Sequence, residues 1–377
     1  MHDVILIGGG VIGLSIACEL AGEGLSVVVL EQGQMGQESS WAGAGILPPG
    51  NSRMARSPEA RLRAASHELW PALSARLREE TGIDNGFCRA GGLEVRIGGT
   101  SSALDDEIAL WRSEGVAVQP FDGREVRQVE KELCAEIASA YRLPEMGQVR
   151  NPRHLKALVA LALKRGVSLL PGVVVHGFDR QRERVVAVDT SGGKFSARQF
   201  VVSSGAWSAR LLKDVGSPAQ VRPMRGQIVL LAMQPSPLVH VVNVGPRYLV
   251  PRGDGRILVG ATEEVAGFDK RTTAGGVGGL VEFALELVPA LANATFERSW
   301  AGLRPQSADG LPYLGRVSQF DNLFVATGHF RAGLQLSPAT ALVMSQLLLG
   351  REPVVPLAPY AADRHRSSDE FAHGGHG

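Results

Sequence analysis

Cysteine is scarce in this 377-residue chain: Cys18, Cys88 and Cys134 are far apart and form no CxxC pair. An odd, widely spaced set excludes a disulfide framework and a zinc knuckle, and it suits a reducing compartment. An excess of either charge is also lacking. Lys+Arg number 39 and Asp+Glu 38, a formal net charge of +1. No basic surplus is left to neutralise a phosphate backbone, so nucleic acid is not an expected partner. No apolar run approaches the ~20 residues of a membrane span. The first residues carry no basic n-region or small-residue cleavage site. The expectation is therefore a cytoplasmic protein without stable membrane insertion. No internal repeat and no metal-ligand spacing occurs. The polar segment 362–377, with His373 and His376 near its end, reads as a solvated, disordered tail rather than a metal site.

What the chain has in abundance is glycine, 46 residues of 377 or about 12%, against a usual ~7%. With no Gly-X-Y period, the excess serves tight turns and close approach of backbone to a ligand. A hydrophobic fraction of 44% and a charged fraction of 20% support a sizeable core, and the length allows two domains.

The opening residues read as a βαβ unit: a buried strand at 3–8, a helix over 11–23 and a second strand at 25–31. Segment 33–50 is a Gly/Ser/Ala-rich loop that wraps a ligand. Ser57-Pro58 caps a long helix to about residue 81, with a kink expected at Pro71. Strand 86–97 and helix 101–114 follow. Asn151-Pro152 opens a helix to about 165, and short strands then lie near 167–176, 184–190 and 194–204. Residues 226–262 read as antiparallel, with a hairpin turn at Gly253-Asp254-Gly255. Helix 277–288, strand 295–301, a loop from Gly302 to Gly315, strand 322–327 and a helix opened by Ser337-Pro338 complete the chain. The fold class is α/β: a Rossmann-like nucleotide domain interleaved with a domain built on a mixed or antiparallel sheet.

The first strand ends in Gly8-Gly9-Gly10-Val11-Ile12-Gly13, a GxGxxG. Gly8 permits the tight turn, Gly10 lets backbone approach a pyrophosphate, and Gly13 lets the helix pack on the strand. The helix N-terminus offers N–H groups and partial positive charge to phosphates. Glu31 closes the second strand 18 residues beyond Gly13, where a carboxylate accepts from ribose hydroxyls. NAD and FAD both fit this pattern. The loop at 36–47, a second cradle directly after the second strand, favours the longer FAD. Gly328-His329-Phe330-Arg331-Ala332-Gly333 adds another backbone-rich turn before a helix, suited to negative charge on a reduced flavin.

With these segments in view, the chain resembles the glycine oxidase (ThiO-type) branch of the D-amino-acid oxidase family of FAD enzymes, over nearly its whole length. The carriers are VILIGGGVIGLSIACELA, SSWAGAGIL at 39–47, YLVPR at 248–252, LVGAT at 258–262, WAGLRP at 300–305 and ATGHFRAG at 326–333. The resemblance implies FAD contacts at Val11, Ile12, Glu31, Gln32, Ser39, Ser40, Ala44, Gly45, Ile46, Val174, His329, Phe330, Arg331, Ala332, Gly333, Leu334 and Gln335. It implies a catalytic and substrate-binding clamp on a carboxylate from Tyr248 and Arg304, with Arg331 nearby. Arg304 follows an apolar strand, and a planar guanidinium there matches a carboxylate in bidentate fashion. No cysteine lies near 300–335, so the FAD is expected to be non-covalent. The implied FAD domain is 1–84, 145–218 and 298–362, the substrate domain 85–144 and 219–297, and the tail 363–377. Glu263 departs from the pattern, standing where some relatives carry an apolar pocket residue.

The implied reaction is oxidative deamination of glycine or another small amino acid by hydride transfer to flavin. It gives an imine, then glyoxylate and ammonia, while O₂ becomes H₂O₂. The family's imine also feeds thiazole formation in thiamine biosynthesis. Other readings stay open: a D-amino-acid or secondary-amine (sarcosine-type) oxidase, a dehydrogenase with an acceptor other than O₂, a redox-inactive nucleotide-binding module, and a homo-oligomeric assembly.

Overall fold

The computed structural model describes residues 2–98 and 102–364; the expected tail from 365 onward lies outside them. The apolar runs near the N-terminus pair into one six-stranded sheet. Its order is Tyr313–Arg316, Leu323–Thr327, Ala197–Val202, His2–Ile7, Val27–Glu31 and Ser168–Pro171. All neighbours are parallel except Tyr313–Arg316, which runs antiparallel at one edge. Alternate residues of the first strand enter two different cores, as strand periodicity requires. Val4 and Leu6 pack with the helices Val11–Gly22, Pro58–Thr81, Asn151–Lys164 and Gly333–Leu348. Ile5 and Ile7 pack with Phe178, Val185 and Leu211 on the opposite face. Burial on both faces explains the unbroken hydrophobicity of these strands.

A second sheet has eight strands. Its order is Thr295–Ser307, Val221–Ala232, Arg256–Gly260, Arg247–Pro251, Val241–Val244, Gly92–Ile97, Ile137–Leu143 and Gln119–Asp122. Only the pair Gly92–Ile97 and Val241–Val244 is parallel. Helix Ala274–Leu287 covers one face through Leu280, Phe283, Ala284 and Leu287. The other face looks toward the first sheet.

Three expectations change. The loop expected after residue 301 is strand as far as Ser307, and the boundary at 298 therefore cuts through one strand. Pro305 is tolerated because it lies opposite Pro223 on the sheet edge, and strand Arg256–Gly260 pairs only with residues 228–232. No ladder bond is missing where a proline N–H would be needed. The last helix begins at Gly333, so Ser337-Pro338 lies inside it. The Ser337 hydroxyl donates to Leu334 O at 2.8 Å, the carbonyl that a residue-338 N–H would have served. Pro71 is accommodated in the same manner within Pro58–Thr81: the Arg89 guanidinium donates to the orphaned His67 O at 2.9 Å. Finally, segment 33–50 is more ordered than a plain loop, with a helical turn at Ser39–Ala42 and strand Ile46–Leu47 paired to Gly147–Gln148.

Candidate active site

A cleft of about 680 Å³ lies between the carboxyl ends of the parallel strands and the open face of the eight-stranded sheet, in the volume range of cofactor pockets. Its floor is made largely of backbone. Gly8 turns the chain out of the first strand at φ +117°, and a Cβ there would lie 2.5 Å from Ser203 O. A Cβ on Gly13 would lie 2.0 Å from Gly8 O, so the helix seats on the turn only with glycine there. Gly13 does not itself line the cleft, whereas Gly8, Gly10, Val11 and Ile12 do. The helix Val11–Gly22 has no side-chain N-cap bond, and its first-turn N–H groups have no intrahelical acceptor. Val11 N donates to Ser40 Oγ at 2.9 Å. Ser39 Oγ donates to Leu303 O in the roof strand.

Glu31 is buried and accepts 2.8 Å bonds from both Gly9 N and Gly33 N. Those bonds fix the carboxylate while leaving lone pairs for a ligand hydroxyl. Gln32 lies beside it along the cleft wall, and Val174 stands opposite. Ala44, Gly45 and Ile46 form the next part of the wall. Gly45 has φ +74°, and its Cβ would meet Val149 O at 2.0 Å. Arg252 pins this stretch by donating to Ala44 O at 2.5 Å and Gln148 Oε1 at 2.6 Å. The 3₁₀ turn Phe330–Ala332 and the first residues of the last helix, Gly333, Leu334 and Gln335, line the far end. His329 lies there too, buried, with Nε2 3.0 Å from Thr340 Oγ1. Burial pushes its pKa down to about 3, so the ring is neutral.

This donor set fits a dinucleotide: a fixed carboxylate for ribose hydroxyls, and glycine backbone with a helix N-terminus for phosphates. An apolar extension runs beneath the roof. None of the three cysteines lines the cleft.

The roof is made of side chains. Cross-strand register places Trp300, Ile228, Gly260, Tyr248, Asn243 and Glu94 in one row running across the sheet. Tyr248 lies over Gly260, whose Cβ would come within 2.6 Å of the hydroxyl oxygen. Burial raises the Tyr248 pKa, with the Arg304 guanidinium opposing, so the hydroxyl remains a donor. Arg304 projects over Gly226, where a Cβ would lie 2.3–2.5 Å from the guanidinium atoms. Its Nη1 donates to Thr262 O at 3.0 Å. Among the described residues no carboxylate pairs with it, and a guanidinium has five N–H donors to place. Arg331 lines the same cleft but is ion-paired to Glu263 at the mouth.

Sequence reasoning missed Gly226, Gly260, Thr262, Arg252 and Glu94. The two glycines did carry a signal, since an isolated glycine in a strand marks close approach. Glu94 carried none. It is buried in the roof and accepts from Asn243 Nδ2 at 2.7 Å. Burial raises its carboxyl to about 7.

Several known proteins are similar to this chain. The family model described as FAD dependent oxidoreductase (DAO) matches residues 3–347. A glycine oxidase from Geobacillus kaustophilus is 39% identical over 370 residues, 97% of each chain. One from Pseudomonas putida is 38% identical over 377 residues, covering 96% of this chain and 98% of that one. A bifunctional ThiO/ThiG protein of Synechocystis sp. is 35% identical across 94% of this chain and 52% of its own length. The crystal structure of the Geobacillus kaustophilus glycine oxidase superposes with a TM-score of 0.91 at 38% identity, covering 97% of this chain and 99% of that one.

Proposed function

The chain belongs to the DAO family of FAD-dependent oxidoreductases, and from that premise we propose that it is a glycine oxidase, deaminating glycine and other small amino acids with O₂ as acceptor. The observation that carries the substrate class is Arg304. It is a cleft-lining guanidinium with no carboxylate partner among the described residues, and it lies beside the hydroxyl of Tyr248.

FAD, when bound, supplies the two-electron oxidant. The protein's part is orientation. Arg304 pairs with the substrate carboxylate, and Thr262 O keeps the guanidinium from swinging out. Tyr248, protonated and fixed against Gly260, donates to the same carboxylate. Holding one end of a small zwitterion in this way turns an encounter into an aligned pair, a large part of the achievable acceleration. His329 is neutral and engaged with Thr340, and Glu263 is engaged with Arg331. Neither is assigned a proton to take in this reading, in which the amine reacts in its neutral form.

The released imine hydrolyses to glyoxylate and ammonia, and O₂ leaves as H₂O₂. The name ThiO/ThiG of the Synechocystis relative supports a role in supplying the thiazole branch of thiamine synthesis. No helix among the described residues is long and apolar enough to cross a membrane, and a cytoplasmic setting is part of the same proposal. The test is to purify the protein, record its flavin spectrum, and assay peroxide with glycine, sarcosine and D-alanine. The expected result is a yellow protein with peroxide from glycine. A protein that stays colourless with added FAD overturns the reading. Dye reduction by glycine without peroxide overturns its oxygen step.

A further inference from the structure

We propose that Glu263 sets the substrate specificity of this site: by holding Arg331 in an ion pair at the cleft mouth, it denies the cleft a second free guanidinium and restricts it to ligands with a single carboxylate. The inference takes its substrate class from the oxidase reading above, but its test reads binding alone.

Two arginines line the substrate end of the cleft, Arg304 and Arg331. Two such cations side by side would favour dianions, which glycine is not. The structure assigns them different tasks. Arg304 has a backbone carbonyl for company and, among the described residues, no carboxylate. Arg331 is closed by Glu263 Oε2.

An exposed ion pair is ordinarily weak because two long side chains must be ordered to form it. Here both partners start from restrained backbone. The residues on either side of Glu263 are tied to the neighbouring strand. Thr262 Oγ1 accepts from Gln227 N at 2.9 Å, and Glu264 and Arg225 exchange backbone bonds of 2.9 and 3.0 Å. Glu264 is further bound to Arg225 and Gln227 through its side chain. Successive side chains of an extended segment alternate in direction. With 262 and 264 committed to the strand, Glu263 is left pointing into the mouth. Arg331 sits in the 3₁₀ turn, with its guanidinium 5.1 Å from the Phe330 ring centroid.

Two other cations near this rim are already paired. Lys270 Nζ meets both Glu38 oxygens at 2.9 Å, and Arg225 meets Glu264 and Asp269. Among the described residues Arg331 makes no ion pair other than the one with Glu263. A second carboxylate on a ligand would have to displace Glu263 and face its negative charge. A monocarboxylate meets neither obstacle.

The experiment titrates the FAD-loaded protein with acetate and with malonate by calorimetry. These are unreactive probes that differ by one carboxylate. In the unaltered protein malonate is expected to bind no more than about threefold tighter than acetate. Glu263→Gln should raise the malonate preference by about tenfold or more, the scale of one charge-assisted bond. Glu263→Ala should do the same, which guards against an effect peculiar to one substitution. Adding Arg331→Gln to Glu263→Gln should remove most of the gain. A preference unmoved by both Glu263 variants overturns the proposal. So does a gain retained in full without Arg331, because relief of repulsion alone would then account for it. A shifted preference in a protein that does not oxidise glycine would leave this inference standing and remove the oxidase reading.

Discussion

The floor of the cleft and its roof are built on opposite plans. On the floor, the proposed binding groups are mostly main-chain atoms, Glu31 apart, and glycine matters because a Cβ would strike other backbone, as Gly13 would strike Gly8 O. In the roof, binding groups are side chains, and glycine matters because it leaves room for one, as Gly226 does for Arg304. One residue type thus serves structure in one half and chemistry in the other. Backbone cannot yield without the fold moving, whereas a guanidinium tip can.

The largest expected effect tests the floor. Gly13→Ala places a methyl 2.0 Å from a carbonyl oxygen. It should cost about 2–4 kcal/mol of stability and most of the bound flavin, read from thermal unfolding and the absorbance of the purified protein. Retention of flavin and Tm would erase the contrast. Next comes the roof's own cation. Arg304→Ala should lower kcat/KM for glycine by about ten- to a hundredfold with flavin content unchanged; unaltered glycine kinetics would remove Arg304 from the clamp. Gly226→Ala probes the contrast from the other side. The three atoms nearest its methyl all belong to the movable end of Arg304, so kcat/KM should fall by about tenfold while Tm and flavin hold. A folding defect would place Gly226 with the floor glycines. The smallest effect concerns Glu94. Its folded pKa of about 7 exceeds its ordinary value of 4.5, so the folded chain binds more protons in that window. Stability should decline as pH rises from about 4.5 to about 7 and level off above it. Glu94→Gln should abolish that decline, on the order of 1–3 kcal/mol at pH 8, as seen in Tm measured against pH.

Floor and roof also differ in how far the sequence alone reveals them. Gly8, Gly10 and Glu31 are local: the turn, the helix start and the carboxylate fall within one βαβ unit, and their spacing alone carries the mechanism. The final helix misleads because Ser337-Pro338 looks like a cap. Only the Ser337 bond to Leu334 O shows that it replaces a missing N–H. Strand Thr295–Ser307 reads as shorter than it is because Pro305 looks like a breaker, and its harmlessness depends on Pro223, 82 positions away in sequence. Tyr248 and Arg304 emerge only through family resemblance. Their meeting rests on the register of four strands, which no local pattern encodes. Glu94 is silent in the sequence for the same reason: its neighbour Asn243 is 149 positions distant.

That long edge strand also works as a ruler. Trp300, Gly302 and Arg304 fall on one side of it at alternate positions. Trp300 Nε1 donates to Ala42 O at 3.0 Å, and Gly302 abuts the Ala42 methyl so closely that its own Cβ would sit 2.6 Å away. Arg304 stands two residues further, roughly 7 Å along at about 3.4 Å per residue. One stiff segment thus gauges the gap between the Ala42 stretch of the cleft wall and the guanidinium proposed to anchor the substrate. If the Glu263 proposal holds, a change of mouth residue would alter what enters without moving that spacing.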